Sequence, residues 1–206
     1  MFHLGFVNVR STKRPCVARS GGTRYQNPVS LIVRPSRTPD LPAITSIYSH
    51  AVVHGTATFE LVPPDEAEMG RRRAALLDGD FPYLVAEQDG AVVGYAYAGA
   101  YRSRAAYRST VEDSIYVAPE AQARGIGSTL LAALIAACEM RDFRLMVAVI
   151  GDEASTGSIR LHRRMGFEPV GIFKPIGYKH DRWLATVLMQ RVLGHGDQDP
   201  PTRPYP

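Results

Sequence analysis

Cysteine is scarce in this chain. Cys16 and Cys138 are the only two, and neither stands in a CxxC or Cys/His spacing, so there is no sign of a disulfide framework, a metal site or thiol redox chemistry. Cys138 lies in an apolar helical stretch and reads as a small core residue. No apolar run approaches the roughly 18 residues that span a bilayer. Two phosphate-binding spacings are absent: Gly-x-x-x-x-Gly-Lys-Ser/Thr and Gly-x-Gly-x-x-Gly. Acids are missing from residues 1–30, which carry Arg10, Lys13, Arg14, Arg19 and Arg24. The whole chain is formally +4, so the remainder stands at −1. The basic character belongs to the N-terminal segment, and no nucleic-acid footprint is indicated on the folded part.

What is present is ordinary for a globular protein: 45% hydrophobic and 21% charged residues in 206, enough for one domain with tails. Residues 1–30 lack periodicity and read as a basic, poorly ordered extension, with a targeting segment or a misplaced start as open alternatives. Residues 194–206 hold Pro200, Pro201, Pro204 and Pro206 and read as an unstructured tail. The domain is expected over 31–193.

Within it, strand and helix signals alternate. Strands are expected at 31–34, 55–60, 110–117, 144–150, 167–173 and 183–192. The runs 83–87 and 92–97, joined by Asp89-Gly90, predict a hairpin. Helices are expected from Thr38-Pro39 to about residue 50, over 65–77, from the loop at 122–128 to about 140, and over 155–165, ended by Gly166. This order predicts an α/β (α+β) sandwich, with one mixed, mostly antiparallel sheet and helices on both faces.

The most informative stretch is Gln122-Ala123-Arg124-Gly125-Ile126-Gly127-Ser128, which feeds an apolar helix and follows the strand-like Ser114-Ile115-Tyr116-Val117. A glycine-containing strand-to-helix turn leaves backbone N–H groups without acceptors, and the helix dipole adds positive character, so the place suits phosphate. The Gln-x-x-Gly-x-Gly spacing resembles the coenzyme A loop of the GNAT acetyltransferases, and the element order matches the GNAT fold.

Further segments resemble the phosphinothricin acetyltransferase group of that superfamily. In chain order they are Ile32-Val33-Arg34-Pro35, Thr56-Ala57-Thr58-Phe59, Tyr95 to Gly99, Arg104 to Tyr107, Val111 to Val117, Val147 to Ile150, Ser158-Ile159-Arg160-Leu161-His162, and Gly177-Tyr178-Lys179-His180 with Trp183. Two positions depart from the pattern. Ser155 stands where the group has Asn, beside a one-residue insertion, and Ala185 stands where it has an acid.

The resemblance implies a cytoplasmic, homodimeric acyltransferase with acetyl-CoA as co-substrate, no metal, and no nucleic-acid or membrane partner. Its acceptor would be a small amino acid of the phosphinothricin, methionine sulfoximine or methionine sulfone type, whose acetylation would detoxify a glutamate-mimicking herbicide or antibiotic. Such transfer needs a base to deprotonate the amine, a polarised carbonyl and accommodation of the leaving thiolate. The resemblance gives Glu112 the role of general base, acting through water, and strand alternation puts it with Ser114 and Tyr116, opposite Asp113, Ile115 and Val117. His162 stands where related enzymes carry the residue that protonates the thiolate. Ile115, Tyr116 and Val117 would run beside the pantetheine arm. Gln122, Arg124, Gly125, Ile126, Gly127, Ser128 and Thr129 would surround the pyrophosphate, and Ser155 and Ser158 would complete the coenzyme A contacts. Arg104 and Tyr107, three apart, would read the acidic group of the substrate, with Phe59 lining the same cleft. A surface loop arginine and a core phenylalanine are the competing readings. Two other functions remain open: acetylation of another small amine or a protein N-terminus, and a coenzyme A sensor without turnover.

Overall fold

The computed structural model describes residues 30–203 together with a two-residue strand, β1 (Val7–Asn8). The extension expected over 1–30 otherwise lies outside the described residues. The elements are β2 (Leu31–Pro35), α1 (Leu41–His54), α2 (Glu66–Asp78), β3 (Tyr83–Gln88), β4 (Ala91–Ala100), β5 (Thr110–Val117), α3 (Ile126–Glu139), β6 (Leu145–Gly151), α4 (Thr156–Arg164), β7 (Glu168–Lys179) and β8 (Arg182–Val192). They form one sheet in the order β1-β2-β3-β4-β5-β6-β8-β7. Every pairing is antiparallel except β5 with β6. This is the mixed, mostly antiparallel sheet that the element order implied.

Local chemistry accounts for the elements. Asp89 and Gly90 both take positive φ, 51° and 85°, the two-residue geometry that matches the twist of a hairpin. Asp65 caps α2 by accepting from the Glu68 N–H at 2.7 Å. Thr38–Asp40 form a single 3-10 turn before α1, so that helix starts two residues later than its cap signal implied and runs on to His54. The core lies between the sheet and α3, where Leu130, Leu131 and Leu134 are fully buried. Truncating any one of them to alanine costs about 2–5 kcal/mol.

Two expectations are corrected. Residues 55–60 form no strand. They lie as an irregular segment held by side chains, as described below. Residues 194–203 are not free of structure. Arg144 pairs with Asp199 at 2.5 Å, Thr202 N–H donates to Asp142 at 2.8 Å, and the Arg203 guanidinium sits 3.9 Å from the centre of the Phe143 ring. β7 also runs to Lys179, past the expected stop at Phe173. Register shifts at Pro169/Gly171 and Phe173/Gly177 absorb its prolines and glycines, which an edge strand tolerates.

Candidate active site

β5 and β6 begin as parallel neighbours and then part. Their register is Thr110 with Leu145, Val111 with Met146 and Glu112 with Val147, and it goes no further. Beyond the fork, β5 stays paired with β4 as far as Val117, and β6 stays paired with β8 as far as Gly151. The inner edges of residues 113–117 and 148–151 therefore face a cleft of about 1020 Å³. A bare strand edge offers a row of backbone donors and acceptors to an extended ligand.

Glu112 is the last residue paired at the fork. It lines the cleft and is half-buried. Burial raises its pKa, and the neighbouring Asp113 carboxylate raises it further. The register sets Gly99 opposite Glu112, Ser114 opposite Tyr97, and Tyr116 opposite Tyr95, so Glu112, Ser114 and Tyr116 share a face as alternation requires. That face is paved with tyrosines. Tyr95 and Tyr116 stack at 5.2 Å between centroids, Tyr83 and Tyr97 at 5.2 Å, and Tyr48 of α1 meets Tyr116 edge-on at 5.1 Å. Burial pushes the phenols of Tyr95, Tyr97 and Tyr116 up, so they remain neutral near pH 7.

The opposite face carries Asp113, which the sequence reading left without a role. Its Oδ2 lies 3.1 Å from Nε2 of His162 on α4, and both side chains are fully buried. Nδ1 of His162 lies 2.8 Å from the Ser158 carbonyl oxygen, and the Phe167 ring stands edge-on at 4.9 Å. Burial pulls the pKa of His162 down, but the Asp113 carboxylate and the Ser158 carbonyl outweigh it, and the net shift is upward. His162 lines the cleft wall with both ring nitrogens engaged.

At the far end, Gly125 caps α3 with φ 84°, a left-handed conformation that costs glycine little. The first intrahelical bond runs from Thr129 N–H to Gly125 C=O at 3.1 Å. The N–H groups of Ile126, Gly127 and Ser128 consequently have no carbonyl one turn back, and there is no acid in the first turn. Gln122 Nε2 donates to Val117 C=O at 3.3 Å, tying the loop to the end of β5. Gln122, Gly125, Ile126, Gly127 and Ser128 line the cleft, as do Ile115, Tyr116, Val117, Ser155 and Ser158. Arg124 and Thr129 do not. The Thr129 hydroxyl turns back to Gly125 C=O at 3.2 Å. The Ser155 hydroxyl donates to Gly151 C=O at 2.7 Å. Arg160 and Arg164, one turn apart on α4, also line the cleft. The sequence reading gave neither a role: their i,i+4 spacing is visible, but that this helix face lines the cleft is not.

The segment 55–60 covers the other mouth. Thr58 and Phe59 line the cleft. Gly151 and Gly177 have no Cβ, and one added there would collide with Thr56 C=O and with the Phe59 ring. Lys179, buried, donates from Nζ to Thr58 C=O at 2.8 Å, while the Tyr48 hydroxyl meets Thr58 Oγ1 at 3.0 Å and Glu60 Oε1 at 2.9 Å. Arg104 and Tyr107 are not brought to this cleft. Arg104 is exposed before the short turn Ala105–Tyr107. Tyr107 meets the Tyr101 ring edge-on at 5.9 Å and lines a separate hollow of about 160 Å³ with Thr110 and Leu145.

A forked β5/β6 pair, a carboxyl at the fork and a donor-rich helix start at the open end together define a coenzyme A-dependent acyltransferase. The acetyltransferase (GNAT) family model matches residues 45–167, and the chain belongs to that family. It is an N-acetyltransferase with acetyl-CoA as its co-substrate. Phosphinothricin N-acetyltransferase of Alcaligenes faecalis is 54% identical over 165 residues, which is 80% of this chain and 84% of that protein. L-methionine sulfoximine/L-methionine sulfone acetyltransferase of Pseudomonas aeruginosa is 37% identical over 179 residues, 86% of this chain and 100% of that protein. The solved phosphinothricin acetyltransferase of Sinorhizobium meliloti in complex with AcCoA is 48% identical. It superposes with a TM-score of 0.82, covering 85% of this chain and 95% of that one. A ribosomal-protein-alanine N-acetyltransferase from Brucella melitensis is 38% identical with a TM-score of 0.76, covering 78% and 99%. Among the described residues no helix is long and apolar enough to cross a membrane, and no cluster of three or more His, Cys, Asp or Glu forms a metal site.

Proposed function

We propose that this enzyme acetylates the amine of a small amino-acid-like acceptor of the phosphinothricin, methionine sulfoximine or methionine sulfone type, with Glu112 as general base. The observation that carries the reading is the position of Glu112. Its carboxyl lies at the fork, half-buried on the tyrosine-lined face that Asp113 does not share, with its proton affinity raised by burial and by Asp113. Acetyl-CoA supplies the activated acetyl thioester, and transfer is direct within a ternary complex. The bare edge of β5 at Ile115–Val117 and the N–H groups of Ile126, Gly127 and Ser128 suit the pantetheine arm and the pyrophosphate. Gly127 keeps the backbone open to close approach. Arg104 reads the acidic group of the acceptor, a role that rests on resemblance and on the reach of an exposed guanidinium. Acetylation removes the charge of the amine and so disarms a glutamate-like inhibitor in the cytoplasm. The working form is a homodimer, supported by apolar side chains that the edge hairpin leaves exposed: Val170, Ile172, Phe173, Ile176, Tyr178 and Trp183.

A second reading, a different small amine or a protein N-terminus, gains from the placement of Arg104 outside the cleft and from the Brucella melitensis relative. A thiol-release assay separates these. The panel is phosphinothricin, methionine sulfoximine, methionine sulfone, a neutral amine and an alanine-starting peptide. Turnover confined to the first three supports the proposal, turnover on the peptide supports the second reading, and coenzyme A binding without thiol release would make the protein a sensor.

A further inference from the structure

α4 sits on the sheet with little apolar anchorage. His162 is its only fully buried residue, while Ile159 and Leu161 pack against the core from partly covered positions. The most buried contact of the helix with β5 is therefore polar, the 3.1 Å bond between His162 and Asp113. The ring geometry fixes its protons. The Ser158 carbonyl 2.8 Å from Nδ1 can only accept, so Nδ1 carries a hydrogen. An ionised Asp113 also only accepts, so Nε2 carries the second. The ring is then an imidazolium, and both its protons point into the protein: one at β5, one along the helix. Both protons are held by protein acceptors, so in this geometry neither is free to be given to a leaving thiolate.

We propose that Asp113 is a positioning residue for acyl transfer: it holds His162 as a fixed imidazolium that pins the first turn of α4, with Ser155 and Ser158, to β5 along the acetyl-CoA wall of the cleft. The proposal rests on the acetyl-CoA reading of that cleft. The second oxygen of Asp113, Oδ1, is buried without a hydrogen-bond partner, so the histidine is the main compensation for this carboxylate. A buried charge that loses its partner is costly, which makes the pair a stiff link between two elements that share no ladder.

The groups around the pair allow a clean titration. From α3, the Cys138 thiol, buried and pushed up to about 12 by desolvation, stays uncharged. From the strand, Glu112 lies on the opposite face. From beyond α4, Phe167 contributes only a ring edge. On the helix itself, the neighbouring Arg163 and Arg164 are exposed to solvent. His162 has its proton affinity raised in the fold. The clamp is thus complete below the ordinary imidazole range, and it is lost only as pH rises through the raised value.

The test uses the full chain with ¹⁵N-labelled histidine, His162→Gln to assign the signal, and calorimetry with acetyl-CoA. In wild type both ring nitrogens of His162 should remain protonated to a pH above the ordinary imidazole value near 6.5. Asp113→Asn should bring that titration back to or below the ordinary value and weaken acetyl-CoA binding about tenfold. Asp113→Glu, which keeps the charge, should retain the raised titration and most of the affinity, and it carries the binding arm if Asp113→Asn does not fold. A His162 ring that titrates at or below the ordinary imidazole value in wild type overturns the proposal without any Asp113 variant. So does an Asp113→Asn protein whose His162 signal moves while acetyl-CoA binds unchanged. Failure of wild type itself to bind acetyl-CoA would overturn the cofactor reading instead, and it is recognised because it needs no substitution.

Discussion

Lys179 and Thr58, 121 residues apart, meet through one hydrogen bond: the buried ammonium of Lys179 donates to the Thr58 carbonyl at 2.8 Å. With the Phe59 ring seated over Gly177, this bond joins the segment 55–60 to the end of β7 and fixes one mouth of the cleft. Burial lowers the pKa of Lys179, partly offset by Glu60. Lys179→Met should leave the Thr58 carbonyl unpaired and destabilise the fold by about 1–3 kcal/mol. It should raise KM for the acceptor more than for acetyl-CoA. Thermal unfolding and steady-state kinetics check both.

Gly127 should tolerate a side chain in the fold but not in the complex. A Cβ there would meet only Leu161 at 3.4 Å and Val117 at 3.9 Å, which are ordinary contacts. Gly127→Val is therefore expected to keep its melting temperature within a few degrees while losing about tenfold or more in acetyl-CoA affinity, because its Cβ would intrude where backbone approaches phosphate. Normal binding by this variant would remove the loop from the pyrophosphate site.

Arg160 and Arg164 line the cleft one turn apart and give it positive charge at the coenzyme end. Replacing both with alanine should weaken acetyl-CoA binding by about ten- to a hundredfold, since hydrogen bonds to charged groups are worth about 1.5–3 kcal/mol. The loss should shrink as salt rises. Calorimetry at two ionic strengths reads this directly.

Arg104→Ala should raise KM for phosphinothricin by about ten- to a hundredfold while leaving KM for acetyl-CoA near wild type, and Arg104→Lys should recover only part, because an ammonium lacks the planar fork. Equal losses on a neutral amine would mean that Arg104 supports its loop and reads no acidic group.

Much of this was legible from residues alone, and the exceptions share a cause. The hairpin at Asp89-Gly90, the whole of β5 and the donor-rich start of α3 are written in local patterns, and all three lie where expected. Glu112 was placed by its motif and by alternation along the strand. Asp113 with His162, and Lys179 with Thr58, are contacts between distant segments, and no local period announces them. The run 55–60 looks strand-like because Thr and Phe favour strands, yet Gly151, Gly177 and Lys179 hold it as a side-chain-pinned segment with no ladder. Likewise the proline-rich end looks unstructured, but Arg144 and Phe143 give Asp199 and Arg203 specific seats.

Glu112 at the fork is the centre of the account, and the pH dependence of kcat/KM in wild type and Glu112→Gln tests it most directly. Burial and Asp113 raise the proton affinity of Glu112, so wild-type activity should fall on the acid side with a midpoint above the ordinary glutamate value near 4.3. Glu112→Gln should lose about a hundredfold or more near neutral pH, in line with general-base catalysis. That deficit should narrow as pH approaches the pKa of the amine, with acetyl-CoA affinity unchanged. A Glu112→Gln profile parallel to wild type, at similar rate, would contradict the assignment and leave the fork without a base.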